Sequence, residues 1–258
     1  MINHNQNSPP TSFSHRSRLA LLDAVRGGAV VAMMVWHLLW NLWFSGLYPL
    51  PIFTDPLFWW FNRTIPAVFL FLVGFSQALS YSSAFTWPRA LRRLGGIGAA
   101  ALAVTGVTLV LLPHAFVFFG VLHCIFVASV VCLLLRRAPP LLVLILALVT
   151  GVLPWLATSA VFDPPAVMWI GLAERPRISV DFVPPLPWVA WALVGLAVGR
   201  WAFAAAPTQT YTLLSTGAAP AFAPILAPLR WLGRHALAVY LIHQPILFGA
   251  VMGVGQLR

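Results

Sequence analysis

Six ionisable side chains lie inside long apolar runs of this 258-residue chain: Asp23, Arg26, His37, Arg63, His123 and His243. A charged or titratable group at membrane depth costs about 2.5–3.5 kcal/mol on insertion scales, so each needs a partner or a task. A neutral imidazole suits proton removal from an alcohol or amine, because it titrates close to neutral pH. His37 therefore has two readings, a general base or a buried ring satisfied by a neighbouring carbonyl. Asp23 and Arg26, three positions apart in LLDAVRGG, share a helix face and can pair. Either they are structural, with Arg26 a snorkelling anchor and Asp23 its partner or a helix cap, or they belong to a site with His37. Arg26 precedes His37 by eleven residues. At about 100° per residue this returns to within about 20° of the same face, about 16 Å further along, so both should look into one side of a bundle.

His123 in FFGVLHCIF and His243 in AVYLIHQPI fall in other apolar runs, at a depth similar to that of His37. Three imidazoles at one level suggest a single polar pocket. Pro245 removes a helical N–H and frees the carbonyl of Leu241, so backbone polarity is expected beside His243 and Gln244. Those two residues read as pocket lining or as a simple kink. Arg234 reads as an anion-binding group or as an anchor at the start of the same helix. Asp181, just before VPPLPW, reads as a tether for an outer loop or as a solvated charge. His114 and His235 sit at segment ends and read as solvated or capping groups. Cys124 and Cys132 are eight apart, about 12 Å along a helix and beyond disulfide reach, so they read as free thiols, and no cluster has metal-ligand spacing.

The elements that must position these groups are hydrophobic helices. The chain is 60% hydrophobic and 8% charged with a mean hydropathy of +0.89, which excludes a soluble globular domain. The expected fold is all-α, a polytopic transmembrane bundle of about seven helices at 24–44, 57–80, 91–112, 117–135, 140–160, 186–203 and 232–254. The apolar stretch 212–229 is a possible eighth segment, but its prolines argue against a regular helix. Residues 1–17, polar with Pro9-Pro10, read as a disordered cytoplasmic tail, and 18–258 as one membrane domain. The net charge of +10 comes entirely from arginines on the basic side, most of them in segments alternating between the apolar runs. That pattern places the N-terminus in the cytoplasm and 161–186 outside, and it gives no basic stripe for nucleic acid. Trp36, Trp40, Trp43, Trp59 and Trp60 cluster at the outer end of the first hairpin, as an aromatic belt or as the lining of a carbohydrate or lipid site.

The segment RLALLDAVRGGAVVAMMVWH, with Leu-Asp-x-x-Arg-Gly and a His eleven positions after the Arg, resembles the Arg-x10-His opening of the acyltransferase-three superfamily. The blocks IPAVFLFLVGFSQAL, FGVLHCI, DFVPPLPWVAWALVGLAVGR and LGRHALAVYLIHQPIL are similar, in order, to the small bacterial branch related to heparan-α-glucosaminide N-acetyltransferase. The resemblance covers about residues 18–248. It implies an acyl-CoA-dependent membrane acyltransferase of a bacterial inner membrane, moving an acyl, usually acetyl, group to a hydroxyl or amine of a sugar, glycan or lipid-linked acceptor. Acyl-CoA would be a co-substrate, with no tightly bound cofactor and with the lipid bilayer as surroundings. His37, Arg26 and Asp23 map onto the catalytic element, with His123, Arg63, Asp181, Arg234, His243 and Gln244 as candidates for substrate binding. A proton-coupled transporter relaying through the three histidines is the competing class.

Overall fold

The computed structural model describes residues 19–82, 85–216 and 223–255. The expected tail at 1–17 lies outside them. Among the described residues ten α-helices follow in order: α1 (Ala20–Phe44), α2 (Pro56–Ser82), α3 (Trp87–Leu111), α4 (Val121–Leu134), α5 (Pro140–Ala157), α6 (Pro165–Met168), α7 (Pro185–Ala205), α8 (Pro207–Thr216), α9 (Ala223–Arg234) and α10 (Ala236–Gly255). Six of them, α1, α2, α3, α5, α7 and α10, are long and apolar enough to cross a membrane, so this is an all-α integral membrane protein. Helix α4 has 14 residues and continues through a short 3-10 turn at Leu135–Arg137.

Helix α4 lies at the centre. Its Cys124, Ala128 and Cys132 have no exposed surface and pack with Leu193 and Leu196 of α7 and Val143 and Ala147 of α5. Neither cysteine forms a disulfide among the described residues. Lipid-facing leucines, valines and tryptophans cover the outside, among them Leu148, Trp155, Val110 and Trp201. Apolar burial gives no drive between helices in a bilayer, so close association relies on small residues that let backbones approach. Helices α2 and α7 meet in this way: a Cβ on Gly74 would fall 1.8 Å from Ala192 O, and one on Gly195 2.1 Å from Phe71 O.

The final helix differs from the expected 232–254 span. Gly233 and Arg234 end α9, and α10 begins at Ala236. The break has a packing reason: α9 lies directly on α1, where a Cβ on Gly27 would come within 1.9 Å of Leu229 O and one on Gly233 within 1.9 Å of Asp23 O. Of the 212–229 stretch, 217–222 lie outside the described residues. Its described parts belong to the short α8 and to α9, and Pro228 lies inside α9.

Along α1 and α10 the contacts advance together: Val30 and Met33 share a core cluster with Val239, His37 meets His243, Asn41 meets Gln244, and Phe44 approaches Phe248. The two helices therefore run parallel.

Candidate active site

Two of the three imidazoles meet. His37 Nδ1 lies 3.0 Å from His243 Nε2, with ring centroids 4.8 Å apart. His243 is 4% exposed and His37 half-buried. Their neighbours fix the protons. Nδ1 of His243 faces two acceptors, Tyr240 O at 2.7 Å and Val239 O at 3.1 Å, so it carries hydrogen. In the neutral ring Nε2 of His243 is then an acceptor. Nδ1 of His37 faces that acceptor and Met33 O at 3.0 Å, so it too carries hydrogen. The lone pair of His37 is left on Nε2, which has no hydrogen-bond partner among the described residues. One face of the pair is locked to backbone carbonyls, and the other presents a basic nitrogen.

A second polar contact lies one turn further along α1. Gln244 Nε2 donates to Asn41 Oδ1 at 3.1 Å. Asn41 has no exposed surface, and its Nδ2 and the Oε1 of Gln244 are buried without a hydrogen-bond partner among the described residues.

Asp181 sits beside this region, at the inner edge of the loop before α7. Its Oδ2 accepts Val121 N–H, the first residue of α4, at 2.9 Å, and Tyr240 O–H at 3.4 Å. A carboxylate at a helix N-terminus meets unpaired amides and the positive end of the helix dipole. Burial pushes the Asp181 carboxyl above the ordinary range, and the Val121 and Tyr240 bonds pull it part of the way back. Tyr240 thus joins the loop to the dyad: its hydroxyl holds Asp181 and its carbonyl holds His243.

The remaining candidates sit elsewhere. His123 does not touch the other two rings: its Nδ1 accepts Gly120 N–H at 3.2 Å and its Nε2 lies 3.2 Å from Thr105 Oγ1, which donates to Val117 O. It therefore caps α4, and the expected single pocket of three imidazoles is a pair plus a cap. Arg26 donates to Asp23 Oδ1 at 3.1 Å and to Ser76 Oγ of α2 at 3.2 Å. Arg26 and His37 thus find partners on different helices, α2 and α10, although they share a face of α1. Arg63 is exposed and lies 3.7 Å over the Trp59 ring. Arg234 is exposed and bonds Arg230 O. Among the described residues no cluster could hold a metal ion.

Sequence reasoning missed Asn41 and Tyr240. Both were reachable by spacing, since Asn41 follows His37 by four residues and Tyr240 precedes His243 by three, which puts each on the face of its histidine.

No curated protein and no solved structure matches the chain. The profile of the family described as "Heparan-alpha-glucosaminide N-acetyltransferase, catalytic" matches residues 18–245, a stretch that holds Asp23, Arg26, His37, Asp181, His243 and Gln244 together. By that match over most of its length, the chain belongs to the heparan-alpha-glucosaminide N-acetyltransferase catalytic family of membrane acetyltransferases.

Proposed function

We propose that this protein moves an acetyl group from cytoplasmic acetyl-CoA to an amine or hydroxyl of a sugar, glycan or lipid-linked acceptor reaching the site from the opposite face, with His37 as general base. The observation that carries this reading is the 3.0 Å contact between His37 Nδ1 and His243 Nε2, because it leaves Nε2 of His37 as the nitrogen able to take a proton. Nε2 removes the proton from the acceptor N–H or O–H as that atom attacks the thioester carbonyl carbon. The C–S bond then breaks, an amide or ester forms, and the CoA thiolate leaves and takes up the proton. While His37 is an imidazolium, its Nδ1–H bonds to His243 Nε2 and Met33 O become charge-assisted and stabilise it. The same atoms would serve a route in which His37 Nε2 itself carries the acetyl group.

Other residues take supporting parts. Arg234, exposed at the end of α9, is assigned to the phosphates of the donor, and Arg26 with Asp23 to holding the inner end of α1 against α2. Gln244, Asp181 and Arg63 are assigned to the acceptor side, and His123 to holding the end of α4 from which Val121 grips Asp181. Parallel α1 and α10 require an odd number of crossings from the first to the last of them. Six long helices plus the central α4 give seven, with the N-terminus in the cytoplasm of a bacterial cell and the loop before α7 outside.

The test uses purified protein in nanodiscs with isotope-labelled acetyl-CoA and glucosamine as the acceptor probe. Labelled N-acetylglucosamine formed by the native protein, and its near-complete loss in a well-folded His37→Gln variant, is the expected result. General-base loss is typically worth about 10²–10⁴-fold. Near-native transfer by His37→Gln would remove His37 from the mechanism. Solute movement without any acetyl-CoA turnover would replace the acyltransferase with a transporter.

A further inference from the structure

The apolar packing of α10 on α1 leaves its rotation only loosely set. Val30, Met33 and Val239 pack on one side of the dyad and Phe44 approaches Phe248 at 6.2 Å on the other, and such contacts survive sliding or turning by a few degrees. The dyad does not survive it: turning α10 by about 20° would carry the His243 ring through roughly 2 Å, enough to break a 3.0 Å contact. Two directional contacts flank His243 on α10: Tyr240 O–H to Asp181 Oδ2 at 3.4 Å, which ties α10 to the loop before α7, and the amide pair, Gln244 Nε2 to Asn41 Oδ1 at 3.1 Å, which ties α10 to α1 itself. Gln244 adjoins His243 on α10 and Asn41 lies four residues beyond His37 on α1, so the dyad and the amide pair form successive rungs between the same two helices. Asn41 is wholly buried, where a polar group without a partner is costly, and it is joined by one of the two bonds an amide pair can make.

We infer that Asn41 is a positioning residue: its bond to Gln244 holds α10 in the rotation that presents His243 to His37, and so supplies the second acceptor that, with Met33 O, reserves Nε2 of His37 as the basic nitrogen. The inference rests on the reading of His37 as the base. It separates two roles that Asn41 could play. As a clamp it acts through Oδ1, the atom that accepts from Gln244. As a donor to a bound ligand it would act through Nδ2.

The test compares Asn41→Leu, Gln244→Met and Asn41→Asp in the full chain in nanodiscs, by NMR of isotope-labelled histidine and by transfer from acetyl-CoA to glucosamine. In the native protein one His37 tautomer, protonated at Nδ1, is expected. Asn41→Leu and Gln244→Met should show mixed tautomers, with turnover down about 10-fold and the KM for acetyl-CoA within about two-fold of native, in the range found when a partner that orients a functional histidine is lost. Asn41→Asp keeps an oxygen for Gln244 Nε2 and should restore the single tautomer and most of the turnover. A native tautomer pattern in Asn41→Leu would overturn the clamp. So would an Asn41→Asp protein as impaired as Asn41→Leu, since Nδ2 would then be the atom that matters. If Asn41→Leu does not fold, Gln244→Met and Asn41→Asp decide the question alone. If the native protein transfers no acetyl group, the base assignment fails separately, and the tautomer spectra still decide whether the rung sets the rings.

Discussion

His37 and His243, separated by 206 positions in sequence, meet nitrogen to nitrogen at 3.0 Å, and the carbonyls around them decide which nitrogen of each ring carries hydrogen. Three backbone oxygens, those of Met33, Val239 and Tyr240, face the two Nδ1 atoms. The helices thereby impose a proton order on the pair: His243 accepts from His37, and His37 is left with a free lone pair. All three carbonyls lie three or four residues before the histidine they face, so each helix sets the tautomer of its own ring and the contact between the rings reinforces it.

That order predicts an uneven response at His243. In His243→Gln the amide oxygen can still accept from His37 Nδ1–H, whereas His243→Ala leaves Met33 O as the remaining partner for that hydrogen. His243→Ala should lower turnover by about 10–100-fold, the cost usually seen when a partner that orients a functional histidine is lost, and His243→Gln by markedly less. Acetyl transfer by the two purified variants checks this. Equal loss in both would mean that the imidazole of His243 takes part in proton transfer and does not merely accept.

Much of this was legible in the sequence, because the bilayer makes the coding redundant. A run of about 20 apolar residues can do little else than form a spanning helix, and a charge within such a run stands out against it. His37 and His243 were visible for that reason. Their contact was not, since sequence gives depth along each helix but not which helices adjoin. The same lack of neighbour information put His123 in an expected common pocket, while in the fold its ring is used up capping α4 through Gly120 and Thr105. The break before α10 was missed on other grounds: Gly233 and Arg234 look like any helical residues, and only the docking of α9 on the backbone of α1 ends the helix there. Asn41 was overlooked because an asparagine near the end of an apolar run resembles an interfacial residue.

Asp181 carries a pH signature. Burial raises its carboxyl above the unfolded value, so the folded chain holds the proton more tightly than the unfolded chain does. Stability from this group is therefore fully present below the unfolded value, about 4, and is lost as pH rises through the folded value. Asp181→Asn cannot titrate, yet it retains an oxygen for Val121 N–H and Tyr240 O–H. Thermal unfolding measured upward from acid pH should show a declining component in the native protein that is missing from the variant. An unchanged slope in Asp181→Asn would assign the decline to other groups.

The crossing of α2 on α7 leaves no room for a side chain at Gly74, where a Cβ would fall 1.8 Å from Ala192 O. Gly74→Leu must push the two backbones apart and disturb Leu70, Leu193 and Leu196 beside them. Overpacking of this kind costs about 1–3 kcal/mol or more. The variant should unfold at lower temperature in detergent and lose monodispersity. Gly28→Leu on α1 is the control, since a Cβ there meets nothing within 4 Å. Comparable loss in both would mean that the added bulk matters wherever it is placed and that the crossing is not what sets the effect, since helix propensity alone favours leucine over glycine.

The parallel course of α1 and α10 gives a topology that labelling can check. Ile178 is 78% exposed in the loop before α7, and the native Cys124 and Cys132 have no exposed surface, so background labelling should be low. A membrane-impermeant maleimide applied to intact spheroplasts should label Ile178→Cys from the outside. Labelling only after the membrane is opened would invert the assignment and move the acceptor to the cytoplasm.

Arg26 and Arg234 should separate structure from donor binding. Arg26 is tied to Asp23 Oδ1 and Ser76 Oγ and so braces α1 against α2, whereas Arg234 is exposed and its side chain reaches the carbonyl of Arg230 on its own helix. Removing Arg234 costs the fold little, but if its guanidinium contacts a CoA phosphate, a charge-assisted bond worth about 1.5–3 kcal/mol is lost. Arg234→Ala should therefore raise the KM for acetyl-CoA about 10-fold or more, with the KM for glucosamine and the melting temperature near native. Arg26→Ala strands Asp23 without its counter-charge and breaks the link to α2, so its main effect should be a lower melting temperature and lower abundance. The opposite pattern, a stable Arg26→Ala protein that no longer binds acetyl-CoA, would place the donor phosphates at α1 and Ser76 and leave Arg234 as an interfacial anchor.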